Sequence, residues 1–171
     1  GSYFTRGSSH NAKGAYSESS PDYIANMSRL TSKFKTATKL LPAPQLKKGS
    51  SDNLFGVIYF GTTSLVMQEA MDQLEDYGVH LDSLRIKAFP FAESVYDFIN
   101  SHLKVYVVEQ NRDGQMKILL THEGDIGPSK LHSVLHYNGI PMSASFVSGS
   151  IAADLKLTKK TQDSQLTKAQ S

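Results

Sequence analysis

The chain has 171 residues, enough for one ordinary domain with a core of its own. Its 39% hydrophobic and 20% charged residues are the mixture of a globular protein, and 18 basic against 16 acidic residues give no electrostatic reason to expect nucleic acid or an anionic membrane as partner. It has no cysteine, which excludes disulfides, thiolate zinc sites and cysteine-ligated iron–sulfur clusters, and no run approaches the roughly 18 apolar residues of a membrane helix.

From Gly1 to about Ser19, Gly, Ser, Asn and Tyr dominate without an apolar period, which predicts extended chain or loop. No apolar core with a cleavage site follows Gly1–Arg6, so a secretory signal is not expected and the cytoplasm is the expected compartment. Ser20 as N-cap and Pro21 in the first turn predict a helix. Tyr23, Met27, Leu30 and Phe34 then fall on one helical face, a stripe that needs something to bury against. The helix should end before Leu41-Pro42-Ala43-Pro44, and Pro42 to Asn53 has a linker's composition.

A regular alternation begins at Leu54. Leu54 to Phe60 is a nearly continuous apolar run, as expected of a strand covered on both faces. A helix from about Ser64 to Tyr77 follows, with Val66, Ala70, Leu74 and Tyr77 inward and Gly78 as its stop. Leu84, Ile86 and Ala88 alternate as a second strand, and Pro90 opens a helix that turns Val95, Phe98 and Ile99 inward. Leu103 to Val108 is the most β-rich stretch, a third strand; a shorter helix should run from about Gly114 to Leu120. Leu131 to His136 reads as a fourth strand, and Ser143 caps a last helix carrying Phe146, Val147, Ile151 and Leu155. Strands alternating with helices predict an α/β fold, a three-layer α/β/α sandwich with a mostly parallel sheet and right-handed crossovers. From Lys156 onward a polar composition predicts a frayed or disordered tail.

Chemistry is sparser. No G-x-G-x-x-G follows the first strand and there is no phosphate-loop lysine. Gly61, Thr62, Thr63 and Ser64 place a glycine and three hydroxyls at a strand end and helix start, where they either cap the helix or bind an anion. Gly124-Asp125 is followed by Ile126 and reads as a Gly/Pro loop rather than a diphosphate site; His10 has no second ligand at metal spacing. No serine sits in a G-x-S-x-G turn, so a self-contained hydrolase is not expected. Glu109, Gln110, Asn111, Arg112, Asp113, Gly114 and Gln115 follow an apolar strand directly, at the end where parallel sheets place ligands. Capping needs one such residue, and this loop has several. As an interface or ligand-contact loop it should tolerate Glu109 and Asn111 substitutions with about 0.5 kcal/mol of stability change.

The same stretch carries a resemblance. Val107-Val108-Glu109-Gln110-Asn111-Arg112-Asp113-Gly114-Gln115 resembles the V-V-E-Q-N-x-x-G-Q signature of the alpha chain of 2-oxoacid:ferredoxin oxidoreductases, most closely the 2-oxoglutarate type. Gly61-Thr62-Thr63-Ser64 with Glu69-Ala70 resembles that family's G-S-T-x…E-A segment, and Arg85 to Phe91 its strand and Pro-Phe corner. Val134 to Pro141 resembles its R-Y-D-G-x-P turn, with His136 and Asn138 in place of Arg and Asp. Arg6 to Asn11 and the Met27-to-Phe34 helix resemble the end of the family's pyrimidine-binding domain, so that the likeness covers roughly residues 3 to 155.

The resemblance implies residues 1–50 as tail of a pyrimidine-binding domain plus linker, 51–155 as a transketolase C-terminal-like domain, and 156–171 as a polar tail. It implies an edge strand at 44–48, antiparallel, and a first parallel strand lying between the second and third. It also implies an enzyme that makes acyl-CoA and CO2 from a 2-oxoacid and CoA while reducing ferredoxin, with thiamine diphosphate, Mg2+ and a 4Fe-4S cluster in the complete complex. The cofactor motif and cluster cysteines belong to the beta subunit, and the catalytic residues lie upstream. No catalytic, cofactor or metal residue is therefore assigned here. The fragment should be inactive alone, with a structural, assembly and interface role. The interface or anion-binding candidates are Gly61 to Ser64, Glu109, Gln110, Asn111, Arg112, Gly114 and Gln115. A free-standing flavodoxin-like anion-binding or regulatory domain, or a protein–protein adaptor, are the other readings of the same residues.

Overall fold

The computed structural model describes residues 9–49 and 54–158; the leader before Ser9, part of the linker and the tail beyond Thr158 lie outside the described residues. By its contacts the chain forms two compact units. One holds the chain up to Pro42 together with Ala88–Ala92; the other holds Ala43–Lys87 and the chain from Glu93 onward.

In the first unit, residues 9–19 make a small turn rather than featureless chain. Asn11 Oδ1 accepts from the amides of Lys13 at 2.9 Å and Ala15 at 3.1 Å, and a single antiparallel bridge joins His10 to Tyr16. Helix α1 (Ser20–Thr38) begins one residue earlier than the capping pattern predicts, with Ser19 as its N-cap. None of its residues is buried, and Tyr23, Met27, Leu30 and Phe34 are exposed. Phe89 and Phe91 meet edge to face across the cis peptide before Pro90.

Among the described residues the second unit is a five-stranded sheet with four helices. In chain order it runs β1 (Gln45–Lys47), β2 (Phe55–Phe60), a 3₁₀ turn (Gly61–Thr63) leading into α2 (Ser64–Glu75), β3 (Asp82–Ile86), α3 (Glu93–Ser101), β4 (Lys104–Glu109), α4 (Gln115–Gly124), β5 (Leu131–Leu135) and α5 (Ala144–Asp154). The strand order is β1-β3-β2-β4-β5, with β1 antiparallel on β3 and every other pair parallel. The edge strand and the central place of the first parallel strand are as the resemblance implies. Pro90 does not open α3, which starts at Glu93, and α4 runs past Leu120 to Gly124.

Right-handed crossovers fix the layers. The β2-to-β3 crossover runs one way across the sheet, and the β3-to-β4 and β4-to-β5 crossovers run the other, so α2 covers one face and α3 and α4 cover the opposite one. Helix α5 packs beside α2. On that face Val57, Tyr106, Val108 and Val134 meet Met67, Ala70, Leu74, Val147 and Ile151. On the other, Ile58, Leu84, Val105, Val107 and Leu131 are buried with Val95, Phe98, Ile99 and Leu120. Gly56 shows how close that packing is: a Cβ there would stand 2.8 Å from the Phe98 ring.

Helix α2 buries Met67, Ala70 and Leu74, whereas Val66 lies only half-buried on its flank, and Tyr77, expected as its last inward residue, falls in the turn beyond its end at Glu75. The expected inward trio of α3 is as read from the sequence. Ser143 caps α5 through Oγ, which accepts from the Phe146 amide at 3.2 Å.

Candidate functional site

Adjacent strands β2 and β4 send their following helices to opposite sides of the sheet, which opens a crevice beyond their C-terminal ends. Three loops meet there: the 3₁₀ turn after β2, the loop after β4, and the turn after β5.

Strand β4 delivers Glu109 at its last position, fully buried. Its carboxylate accepts from the amides of Met116 at 2.7 Å and Lys117 at 3.0 Å, and from Asn111 Nδ2 at 2.8 Å. Asn111 Oδ1 in turn accepts from the amides of Asp113, Gly114 and Gln115 at 3.2, 2.8 and 3.2 Å. The leading amides of α4, which have no partner within the helix, are thus filled by two side chains, and the positive end of the helix faces a carboxylate. Gly114 takes a φ of 66° at the N-cap, and a Cβ there would sit 3.4 Å from Ser133 Oγ. The polar surplus that suggests a ligand loop is consumed inside the protein for Glu109 and Asn111. They are not the exposed loop residues expected from the sequence, and the small stability change expected on their removal is revised below.

The other candidates divide. Gln110 reaches across to the first loop, its Nε2 donating to Thr62 Oγ1 at 3.0 Å and Thr63 Oγ1 at 3.2 Å. Thr63 is buried beneath it, while Gly61 and Thr62 are exposed. Ser64, half-buried, closes the 3₁₀ turn with its amide on the Gly61 carbonyl. Arg112 points to solvent and pairs with its neighbour Asp113 at 2.7 Å, and Gln115 contributes its amide.

The turn after β5 was carried only by the resemblance and supplies the third wall. Asn138 Oδ1 accepts from the Ile140 amide at 3.1 Å and Gly139 has a φ of 84°, so asparagine serves as a turn-former here. His136 is buried, its ring edge-on to Phe146 at 4.8 Å between centroids. The crevice, about 690 Å³, is lined by Thr62, Leu65, Gln110 and His136, with Tyr137 and Gly139 to Pro141 on the far side. Three of the segments that carry the resemblance therefore converge on one place.

Two further polar groups lie elsewhere on the sheet. Asp154 Oδ2, at the end of α5, accepts from Tyr106 Oη at 2.7 Å and Lys104 Nζ at 2.9 Å. The Lys104 hydrogen bond and then that from Tyr106 hold the Asp154 carboxyl below the usual range, while burial and the Asp154 contact push the Tyr106 hydroxyl up. His102 is buried, with Nδ1 donating to the Phe98 carbonyl at 2.6 Å and Nε2 3.3 Å from Asp82. Among the described residues no three His, Cys, Asp or Glu side chains group as a metal site. Gly124 ends α4 and Asp125, with a φ of 48°, is its C-cap, so that pair serves the helix end rather than a diphosphate.

Fold and crevice together define a doubly wound α/β domain with three loops at its switch point. No family model matches the chain. It is similar to "2-oxoacid:ferredoxin oxidoreductase 2, subunit alpha" of Aeropyrum pernix, 29% identical over 123 residues that make up 70% of this chain and 19% of the relative. It is likewise similar to the "2-oxoacid:ferredoxin oxidoreductase subunit alpha" of Saccharolobus solfataricus, 27% identical over 86% of this chain and 24% of the relative. The solved structure of 2-oxoglutarate:ferredoxin oxidoreductase from Magnetococcus marinus superposes on 90% of this chain and 27% of its own with a TM-score of 0.77; at 21% identity that likeness establishes the fold. The resemblance read from the motifs is borne out: the chain is similar to alpha subunits of 2-oxoacid:ferredoxin oxidoreductases, and it spans about a fifth to a quarter of the length of the curated relatives.

Proposed function

We propose that this chain is the C-terminal region of the alpha subunit of a thiamine-diphosphate-dependent 2-oxoacid:ferredoxin oxidoreductase, with 2-oxoglutarate as the 2-oxoacid. The complete enzyme would cleave the 2-oxoacid to CO2 and an acyl-CoA and pass electrons to ferredoxin. The role of this domain is structural: it braces the thiamine-binding parts and forms an interface with the beta subunit. The observation that carries the reading is the convergence of the Gly61, Gln110 and His136 segments on one crevice, in a fold shared with a solved oxidoreductase of that class.

The chain's own residues do not fit the cofactors of such an enzyme. It has no cysteine for a cluster, and Gly124-Asp125 is spent on a helix end. Cofactor chemistry is therefore assigned to the rest of the complex, and no step is routed through this domain. The test is to express the subunit with its preceding domains and its partner, and to measure 2-oxoglutarate- and CoA-dependent reduction of a viologen dye. The assembled subunits should turn over and the present chain alone should not. Turnover by this chain alone, or none from the assembled pair with any 2-oxoacid, overturns the reading.

A further inference from the structure

Two helix starts face the switch point, and they differ. The leading amides of α4 are filled by Glu109 and Asn111. The continuous helical segment Gly61–Glu75 has no side-chain cap and no acidic residue in its first turn, so its leading N–H groups stay uncapped, and its positive end meets the crevice through Thr62 and Leu65. Gly61, with a φ of 58°, has open space where a Cβ would stand, which leaves the backbone approachable. Thr62 Oγ1 accepts from Gln110, so its own hydroxyl hydrogen is left to donate into the crevice.

A second observation stands beside this. His136 is only 7% exposed and lines the crevice, yet its ring makes no hydrogen bond to any described residue. Neither ring nitrogen is sealed from solvent, so the imidazole is open to a partner that enters the crevice. Around these donors the walls are apolar: Leu65, Tyr137 and Ile140 are largely exposed, and among the described residues no lysine or arginine lines the space.

We propose that the switch-point crevice binds the carboxylate of a small organic acid with an apolar body. The carboxylate takes the leading amides of Gly61–Glu75, the Thr62 hydroxyl and the His136 ring N–H; the hydrocarbon lies on Leu65, Tyr137 and Ile140. A single negative charge suits one dipole end and one imidazole, whereas a phosphate dianion calls for the guanidinium or ammonium that the crevice lacks. The volume of about 690 Å³ is that of a small-molecule site. The inference stands independently of the oxidoreductase reading.

The experiment is a titration of the ¹⁵N-labelled chain with 4-methylpentanoate, with 4-methylpentanamide as the uncharged isostere and inorganic phosphate as the dianion. The acid should shift the Thr62, Thr63 and His136 amides and the His136 ring signals along saturating curves, with the amide and phosphate at least about tenfold weaker. His136→Phe, which keeps the edge contact with Phe146, should weaken the acid about fivefold while the spectrum stays folded. Thr62→Val, at an exposed position, provides the same reading should His136→Phe disturb the fold. Equal binding of acid and amide, binding of phosphate as tight as the acid, shifts that never approach a plateau or arise away from the crevice, or unchanged affinity in the folded variants would each overturn the proposal.

Discussion

Replacing Glu109 by alanine removes the acceptor of three hydrogen bonds at once, from the Met116 and Lys117 amides and from Asn111 Nδ2. Each buried donor left unpaired costs about 1–3 kcal/mol, and these three are partly rather than fully enclosed, so the lower part of that range applies. Release of a buried charge returns some of the loss. The expected net destabilisation is about 3 kcal/mol, a large share of the 5–15 kcal/mol that typically holds a domain together. At roughly 4 °C per kcal/mol for a unit of this size, Tm should fall by about 12 °C. Glu109→Gln keeps one carbonyl acceptor but turns an NH2 group toward N–H donors, and should lie between alanine and the parent. Arg112→Ala, three residues on in the same loop but exposed and paired only with its neighbour, should stay within about 0.5 kcal/mol. Thermal unfolding followed by circular dichroism measures all three, and hydrogen exchange at Met116 and Lys117 localises the effect to the first turn of α4. If Glu109→Ala melts within a degree of Arg112→Ala, the helix-capping account of this loop is wrong.

Gly56→Ala would set a methyl 2.8 Å from the Phe98 ring and 3.3 Å from His102 Cγ, and should cost about 1–3 kcal/mol by overpacking; a neutral result in urea unfolding would mean that α3 shifts freely. Asp154→Asn should lower Tm at neutral pH. Because the folded Asp154 carboxyl titrates below its unfolded value of about 3.9, its contribution is present above that value and is lost as pH falls through the folded one. The gap between parent and variant should therefore close in acid, and a gap of constant size down to pH 3 would refute the Lys104–Asp154–Tyr106 assignment. Ser143→Ala should cost α5 about 1 kcal/mol through loss of the bond to the Phe146 amide, read as a small drop in Tm.

The order of strands and helices was legible because each β stretch is an apolar run of strand length and each helix keeps its period, as in Val95, Phe98 and Ile99. Depth within a face was less so. Periodicity puts Val66 inward on α2, but the helix buries Met67, Ala70 and Leu74 and leaves Val66 half-buried on the flank it shares with Gln73, where Ser148 Oγ of α5 donates to Gln73 at 2.7 Å. No single-helix pattern carries that neighbour. The site was half legible for a related reason. Local capping signatures span three residues, whereas Glu109 reaches seven and eight residues forward, so its side chain read as surplus polarity. His136 reads as the last residue of a strand, and its burial against Phe146, ten residues on, arises only once α5 folds back over the sheet.

Strand β1 is three residues long, wholly exposed, and carries Lys47, whose Nζ donates to Gln68 on α2. By pairing with β3 it turns an otherwise bare row of backbone donors and acceptors into an interior ladder, and it presents outward a short strand ending in a lysine. It is in effect a guard against self-association. A chain begun at Ser51, where the linker composition invites a cut, would fold around the same core yet leave the β3 edge free to recruit a strand from another molecule, so that solubility would fail before stability did.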